Sequence, residues 1–149
     1  PSPTPIPNPT ANWKTYNLPD YSLKLPPTFR QDDIGGGGDH LFYNYDLSAV
    51  SARGSIPALD KGKLKIEISA SNTDQNLESF ENTSSSQSSL ETKKINIAVD
   101  SQSAIKTITS AKNIIVYVKN PSKPFVYSIA FYLFDSCFSI TNQIFNISL

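Results

Sequence analysis

Asn113-Ile114-Ile115-Val116-Tyr117-Val118 is followed, after a short polar interval, by Phe125-Val126-Tyr127-Ser128-Ile129-Ala130-Phe131-Tyr132-Leu133-Phe134. In both stretches alternate positions are apolar, and most of the positions between them are apolar too. Period-two alternation marks a β-strand, and a strand apolar on both sides belongs in the middle of a sheet covered on both faces. Such a sheet needs a layer on each side, whereas a two-layer arrangement leaves one face polar.

Outward from these two stretches the remaining strands read as antiparallel runs. Lys63 to Ile68 alternates Leu64, Ile66 and Ile68 with Lys63, Lys65 and Glu67, so one of its faces is polar. Leu41, Tyr43 and Tyr45 alternate with Phe42, Asn44 and Asp46. Lys14–Tyr16 and Tyr21–Leu25 flank Asn17-Leu18-Pro19-Asp20, which has the chemistry of a hairpin turn. Ile95, Ile97 and Val99 lead through Asp100-Ser101-Gln102 into Ala104–Ile108, a second hairpin. Two segments have helical spacing. One starts near Asp74 as N-cap and places Leu77 and Phe80 on one face, with Glu78 and Glu81 in its first turns, before decaying into the Ser-rich stretch 83–89. The other runs from Ile140 through Ile144 and Phe145. The expected fold class is therefore α+β: an antiparallel sheet of about six strands covered by helices on both faces, a three-layer α-β-α sandwich.

The front of the chain is of another kind. Pro1, Pro3, Pro5, Pro7 and Pro9 alternate with Ser2, Thr4, Ile6 and Asn8. Such a tract lacks the backbone donors of a helix or a sheet and stays extended as a semi-rigid spacer. Residues 1–12 read as a linker or stalk and 13–149 as a single globular domain. No charged segment followed by an apolar one precedes the tract, so a membrane anchor is expected to have been removed.

Lys plus Arg and Asp plus Glu both number 13, for a net charge of +0, and neither sign forms runs. That distribution leaves no electrostatic footprint for nucleic acid. No stretch approaches the roughly 18 to 20 apolar residues of a spanning helix. With charged residues at only 17%, Ser, Asn and Thr solvate the surface, a balance found in exported proteins. The expected location is extracytoplasmic, at a bacterial cell envelope or surface, and the expected state is a monomer. Cys137 is the single cysteine, so no intrachain disulfide forms; between aromatics it reads as a small buried apolar residue.

Two sets of residues are candidate sites. Asp32, Asp33, Asp39 and His40 surround Gly35–Gly38, and their carboxylates and imidazole offer a weak divalent-cation site on a flexible loop. The spacing does not match an EF-hand, and the glycines lack the Lys-Ser/Thr of a phosphate loop. Phe42, Tyr43 and Tyr45 offer either an aromatic partner patch or the packing of a sheet face. Ser103-Ala104-Ile105-Lys106 spells SxxK, but on a strand residues three apart point to opposite faces, so no acyl-enzyme site is read there. No catalytic or cofactor-binding set emerges. Asn82-Thr83-Ser84 and Asn146-Ile147-Ser148 are glycosylation sequons.

The order of elements and several strings resemble the PsbP and Mog1-like family, specifically the PsbP-related domains of bacterial surface lipoproteins carried behind Pro/Thr linkers. The strings are Trp13-Lys14-Thr15-Tyr16 with Tyr21-Ser22-Leu23-Lys24-Leu25-Pro26, Lys63 through Ile68, Ile97-Ala98-Val99-Asp100 with Ala104, and Asn142-Gln143-Ile144. The pattern has Gly where this chain has Asp20 and Ser101, and Trp near the position of Phe29. The resemblance implies an α-β-α sandwich and a non-enzymatic role, docking onto a larger protein partner. The alternatives are a small carboxylate-dependent hydrolase or transferase using Asp32 and Asp39, and a cytoplasmic adaptor.

Overall fold

The computed structural model describes residues 10–34, 39–46, 62–86, 93–110, 113–133 and 147–148. Ten strands and one helix follow in the order β1 (Lys14–Asn17), β2 (Ser22–Leu25), β3 (Arg30–Ile34), β4 (Asp39–Tyr43), β5 (Leu64–Asn72), α1 (Leu77–Ser86), β6 (Lys93–Val99), β7 (Gln102–Ile108), β8 (Ile114–Lys119), β9 (Phe125–Leu133) and β10 (Ile147–Ser148). Seven strands form one antiparallel sheet in the order β3-β4-β5-β9-β8-β7-β6, and β1-β2-β10 form a second.

The two stretches apolar on both sides are β8 and β9, neighbours near the centre of the large sheet. Their register builds continuous apolar rows across the inner face. Phe42, Ile66, Phe131, Ile114 and Ile108 are successive partners in one row, and Ala70, Tyr127, Val118 and Ala104 in another. Phe42, Ile66, Ile114, Val116, Val118 and Phe131 have no exposed surface. At about 1.5 to 3 kcal/mol for each fully buried large side chain, these rows are the main store of stability.

The cover of that inner face corrects the expected architecture. The small sheet lies on it: Tyr16, Leu23 and Leu25 are buried in the same core cluster as the rows above. The Tyr16 and Phe42 rings meet edge to face with centroids 5.1 Å apart, and the Tyr16 hydroxyl donates to the Phe29 carbonyl at 2.7 Å. Among the described residues the chain is thus mostly β, not a helix-covered three-layer α-β-α sandwich. Two-sided apolar strands require cover, but period alone does not say whether a helix or a second sheet supplies it, and here the opening hairpin does. The expected helix over 140–145 lies outside the described residues; just beyond it, β10 pairs with β2, Ile147 opposite Leu23.

One helix is described, and it lies on the opposite face. Its N-cap is Asn76, whose Oδ1 accepts the Ser79 amide at 2.8 Å, two residues after the expected Asp74. The helix rests on β7 and β8, where Phe80 meets Tyr117 with centroids 6.0 Å apart. Glu81, four residues after Leu77, shares its inward face. Glu81 Oε1 accepts the Thr107 hydroxyl at 3.2 Å, and Oε2 pairs with Lys94, which also donates to Asn82 at 2.6 Å.

The β6–β7 hairpin turns on two residues with positive φ, Asp100 at 47° and Ser101 at 64°. This left-handed conformation costs a non-glycine residue about 1 kcal/mol or more. Ser101→Gly is therefore expected to raise stability by about 0.5 to 1 kcal/mol, after allowing for the greater chain entropy of glycine. A urea titration checks it, and an unchanged or lowered midpoint would show that the turn carries no such strain.

Candidate functional site

Asp32, Asp33, Asp39 and His40, expected on a flexible loop, lie on the paired edge strands β3 and β4, and strand alternation divides these four metal candidates between two faces. Asp33 pairs with His40 and His40 with Ile68, so both share the inner face. Asp32 pairs with Leu41 and Asp39 with Ile34, on the other face. Asp33 Oδ1 lies 2.9 Å from His40 Nδ1. Hydrogen bonds from His40 and then Gln31 hold the Asp33 carboxyl below the usual carboxylate range. In the neutral ring, Nδ1–H donating to Asp33 leaves Nε2 as an acceptor. Among the described residues no group of three His, Cys, Asp or Glu side chains converges as metal ligands do. Gly35–Gly38 lie outside the described residues, as does Cys137.

The aromatic trio is divided in the same way. Phe42 is fully buried in the core, whereas Tyr43 and Tyr45 lie on the opposite face, their rings tilted at 55° with centroids 5.7 Å apart. Near them Glu67 accepts from Tyr132 at 2.8 Å and from Lys65 at 2.7 Å, and the Lys65 ammonium lies over the Tyr132 ring. Burial, then the Glu67 hydrogen bond, pushes the Tyr132 hydroxyl well above its ordinary range. Ser103 and Lys106 lie on opposite faces of β7. Asn82-Thr83-Ser84 sits within α1, and Asn146 lies outside the described residues.

At one end of the inner face, where the opening hairpin meets the large sheet, a cleft of about 150 Å³ is lined by Pro19, Asp20, Tyr21, His40, Ala70, Phe125 and Tyr127. The Leu18 amide donates to the Tyr21 carbonyl at 2.9 Å, closing the turn that delivers Tyr21. The Tyr21 ring stands edge to face against His40 at 6.0 Å and Tyr127 at 5.5 Å. Tyr21 is 8% exposed, and its hydroxyl is buried with no hydrogen-bond partner among the described residues. Burial above all, then coupling to the Tyr127 hydroxyl and the negative charges of Asp33, Asp39 and Asp20 in turn, pushes this hydroxyl well above its ordinary range.

Opposite it, Asn120 organises the β8–β9 loop. Its Oδ1 accepts the amides of Ser122 at 2.8 Å and Lys123 at 3.0 Å, and its Nδ2 donates to the Tyr127 hydroxyl at 3.3 Å. Lys123, so placed, pairs with Asp20, which holds the ammonium pKa above its ordinary value. Sequence reasoning reached His40 and Asp33 but passed over Asp20, Tyr21, Lys123 and Tyr127. A tyrosine directly after a Pro-Asp turn was the available signal.

The chain has a PsbP-like fold, on its likeness to a solved structure. The chain is similar to the solution structure of cyanobacterial PsbP (CyanoP) from Synechocystis sp. PCC 6803, with 13% identity and a TM-score of 0.51 over 97% of this chain and 94% of that one. At that identity the likeness is one of fold. No family model matches the chain, and no curated protein matches its sequence.

Proposed function

We propose that this chain is a non-catalytic extracytoplasmic binding module that docks, through the cleft end of its inner face, onto a larger protein partner. The observation that carries the reading is the cleft: at about 150 Å³ it is smaller than the roughly 300 Å³ or more of ordinary small-molecule sites and suits one side chain. The proline-alternating tract supports a position held off a bacterial envelope or surface, in the manner of the PsbP-related lipoprotein domains. No helix among the described residues is long and apolar enough to cross a membrane.

The rival, a carboxylate-dependent hydrolase or transferase, draws less support from the geometry. Its proposed pair, Asp32 and Asp39, faces away from the cleft. The carboxylate that lines the cleft, Asp20, is tied to Lys123, and the nearby Asp33 is held in its charged form, whereas a general acid needs a raised carboxyl.

A photo-crosslinking amino acid placed at Phe125, in the cleft, tests the reading in the full chain in its native cells, with Ile95 on the outer strand β6 as the control position. A discrete protein adduct from position 125 and none from 95 is expected. No adduct from 125, or the same adducts from both, would contradict docking at the cleft.

A further inference from the structure

We propose that the cleft is a receptor for a single alkylammonium group, the side chain of a lysine on the docking partner. The inference rests on the docking reading for the source of that lysine, while the chemistry rests on the cleft alone. Three aromatic rings, Tyr21, Phe125 and Tyr127, line a space with room for one narrow chain. Aromatic faces attract a cation through their quadrupole, more strongly where water is excluded. The polar residues lining the cleft complement this: Asp20 carries a negative charge, and the buried Tyr21 hydroxyl, without a partner among the described residues, keeps its acceptor capacity for an N–H. A buried hydroxyl without a partner costs free energy in the unliganded protein. An ammonium with three donors supplies the missing bond.

The sign of the charge follows from what surrounds Tyr21. Asp20, Asp33 and Asp39 all act on its hydroxyl as negative neighbours, which disfavours a bound anion. The protein's own Lys123 already sits on Asp20. It is an internal ammonium that a partner's lysine would share the carboxylate with or displace.

Titration of the full chain with n-butylammonium chloride, followed by NMR of the Tyr21, Tyr127 and His40 rings, tests this chemistry. Saturable shifts at millimolar concentration are expected, with none from sodium chloride or sodium acetate at equal ionic strength. Asp20→Asn should weaken binding by about fivefold and Lys123→Gln should tighten it by a similar factor, the worth of one partly exposed charge. Tyr21→Phe should also weaken binding by several fold while leaving thermal stability equal or higher, a combination that a purely structural role would not give. Absence of saturable shifts, shifts from acetate in their place, or weaker binding by Lys123→Gln would overturn the proposal. If butylammonium binds and the Phe125 crosslink fails, docking falls and the ammonium site stands. If the crosslink forms and butylammonium does not bind, docking stands and this inference falls.

Discussion

Leu25→Ala is expected to lower the unfolding free energy by about 3 kcal/mol or more, as large-to-small changes in a closed core do. Leu25 lies on β2 of the small sheet and has no exposed surface. It belongs to the same cluster as Leu64, Ile66 and Phe131 of the large sheet, so truncating it opens a cavity between the layers. Its neighbour Lys24 is exposed on the outer side of the same strand, and Lys24→Ala should change stability by no more than about 0.5 kcal/mol. Urea denaturation of both variants gives the comparison, with the slope held as a check that the unfolded state is unchanged. A loss below about 1 kcal/mol for Leu25→Ala would mean that the opening hairpin is an ornament on the core and not its second wall.

Lys94→Met should be the more damaging half of a lopsided pair. The Glu81 side chain is 1% exposed, whereas that of Lys94 is 42% exposed. Removing the lysine leaves a buried carboxylate without its counter-charge, and breaking a buried pair in that way costs about 3 to 5 kcal/mol. Partial exposure of Lys94 reduces the expected loss to about 2 to 3 kcal/mol. Glu81→Gln should cost less, because the freed ammonium can turn to water while the amide keeps an acceptor for the Thr107 hydroxyl. The double variant Glu81→Leu with Lys94→Met should recover to within about 1 kcal/mol of the parent, since two well-packed apolar groups replace a pair that had to be desolvated. Equal losses from the two single changes, or no recovery in the double variant, would show that Glu81 is not a buried charge held by Lys94.

Much of the sheet was legible in the sequence. The two-sided apolar runs became β8 and β9, the Asn17–Asp20 turn joined β1 to β2, and Asp100-Ser101 joined β6 to β7. What periodicity could not supply was the identity of the covering layer, because Leu64, Ile66 and Ile68 are buried equally well under a helix or under Tyr16, Leu23 and Leu25. Strand β3 was missed for a related reason: Arg30-Gln31-Asp32-Asp33 has almost no apolar alternation, and an edge strand can be held by backbone pairing to one neighbour. That omission also blurred the candidate site. As a loop, Asp32, Asp33, Asp39 and His40 could gather around one ion; as a hairpin, alternate residues face opposite ways and only Asp33 and His40 remain together. Tyr127 read as one of an apolar strand set and Tyr21 as the first residue of a hairpin strand, and the missing partner of the Tyr21 hydroxyl emerges only when the neighbours are in place.

The central claim is that a second β layer, and not a helix, closes the inner face of the large sheet. Ring-to-ring nuclear Overhauser effects test it most directly, since the Tyr16 and Phe42 centroids lie 5.1 Å apart and those of Tyr21 and Tyr127 5.5 Å apart. Strong cross-peaks within both pairs are predicted. Their absence, with the Phe42 ring showing contacts to residues of helical chemical shift, would contradict the account.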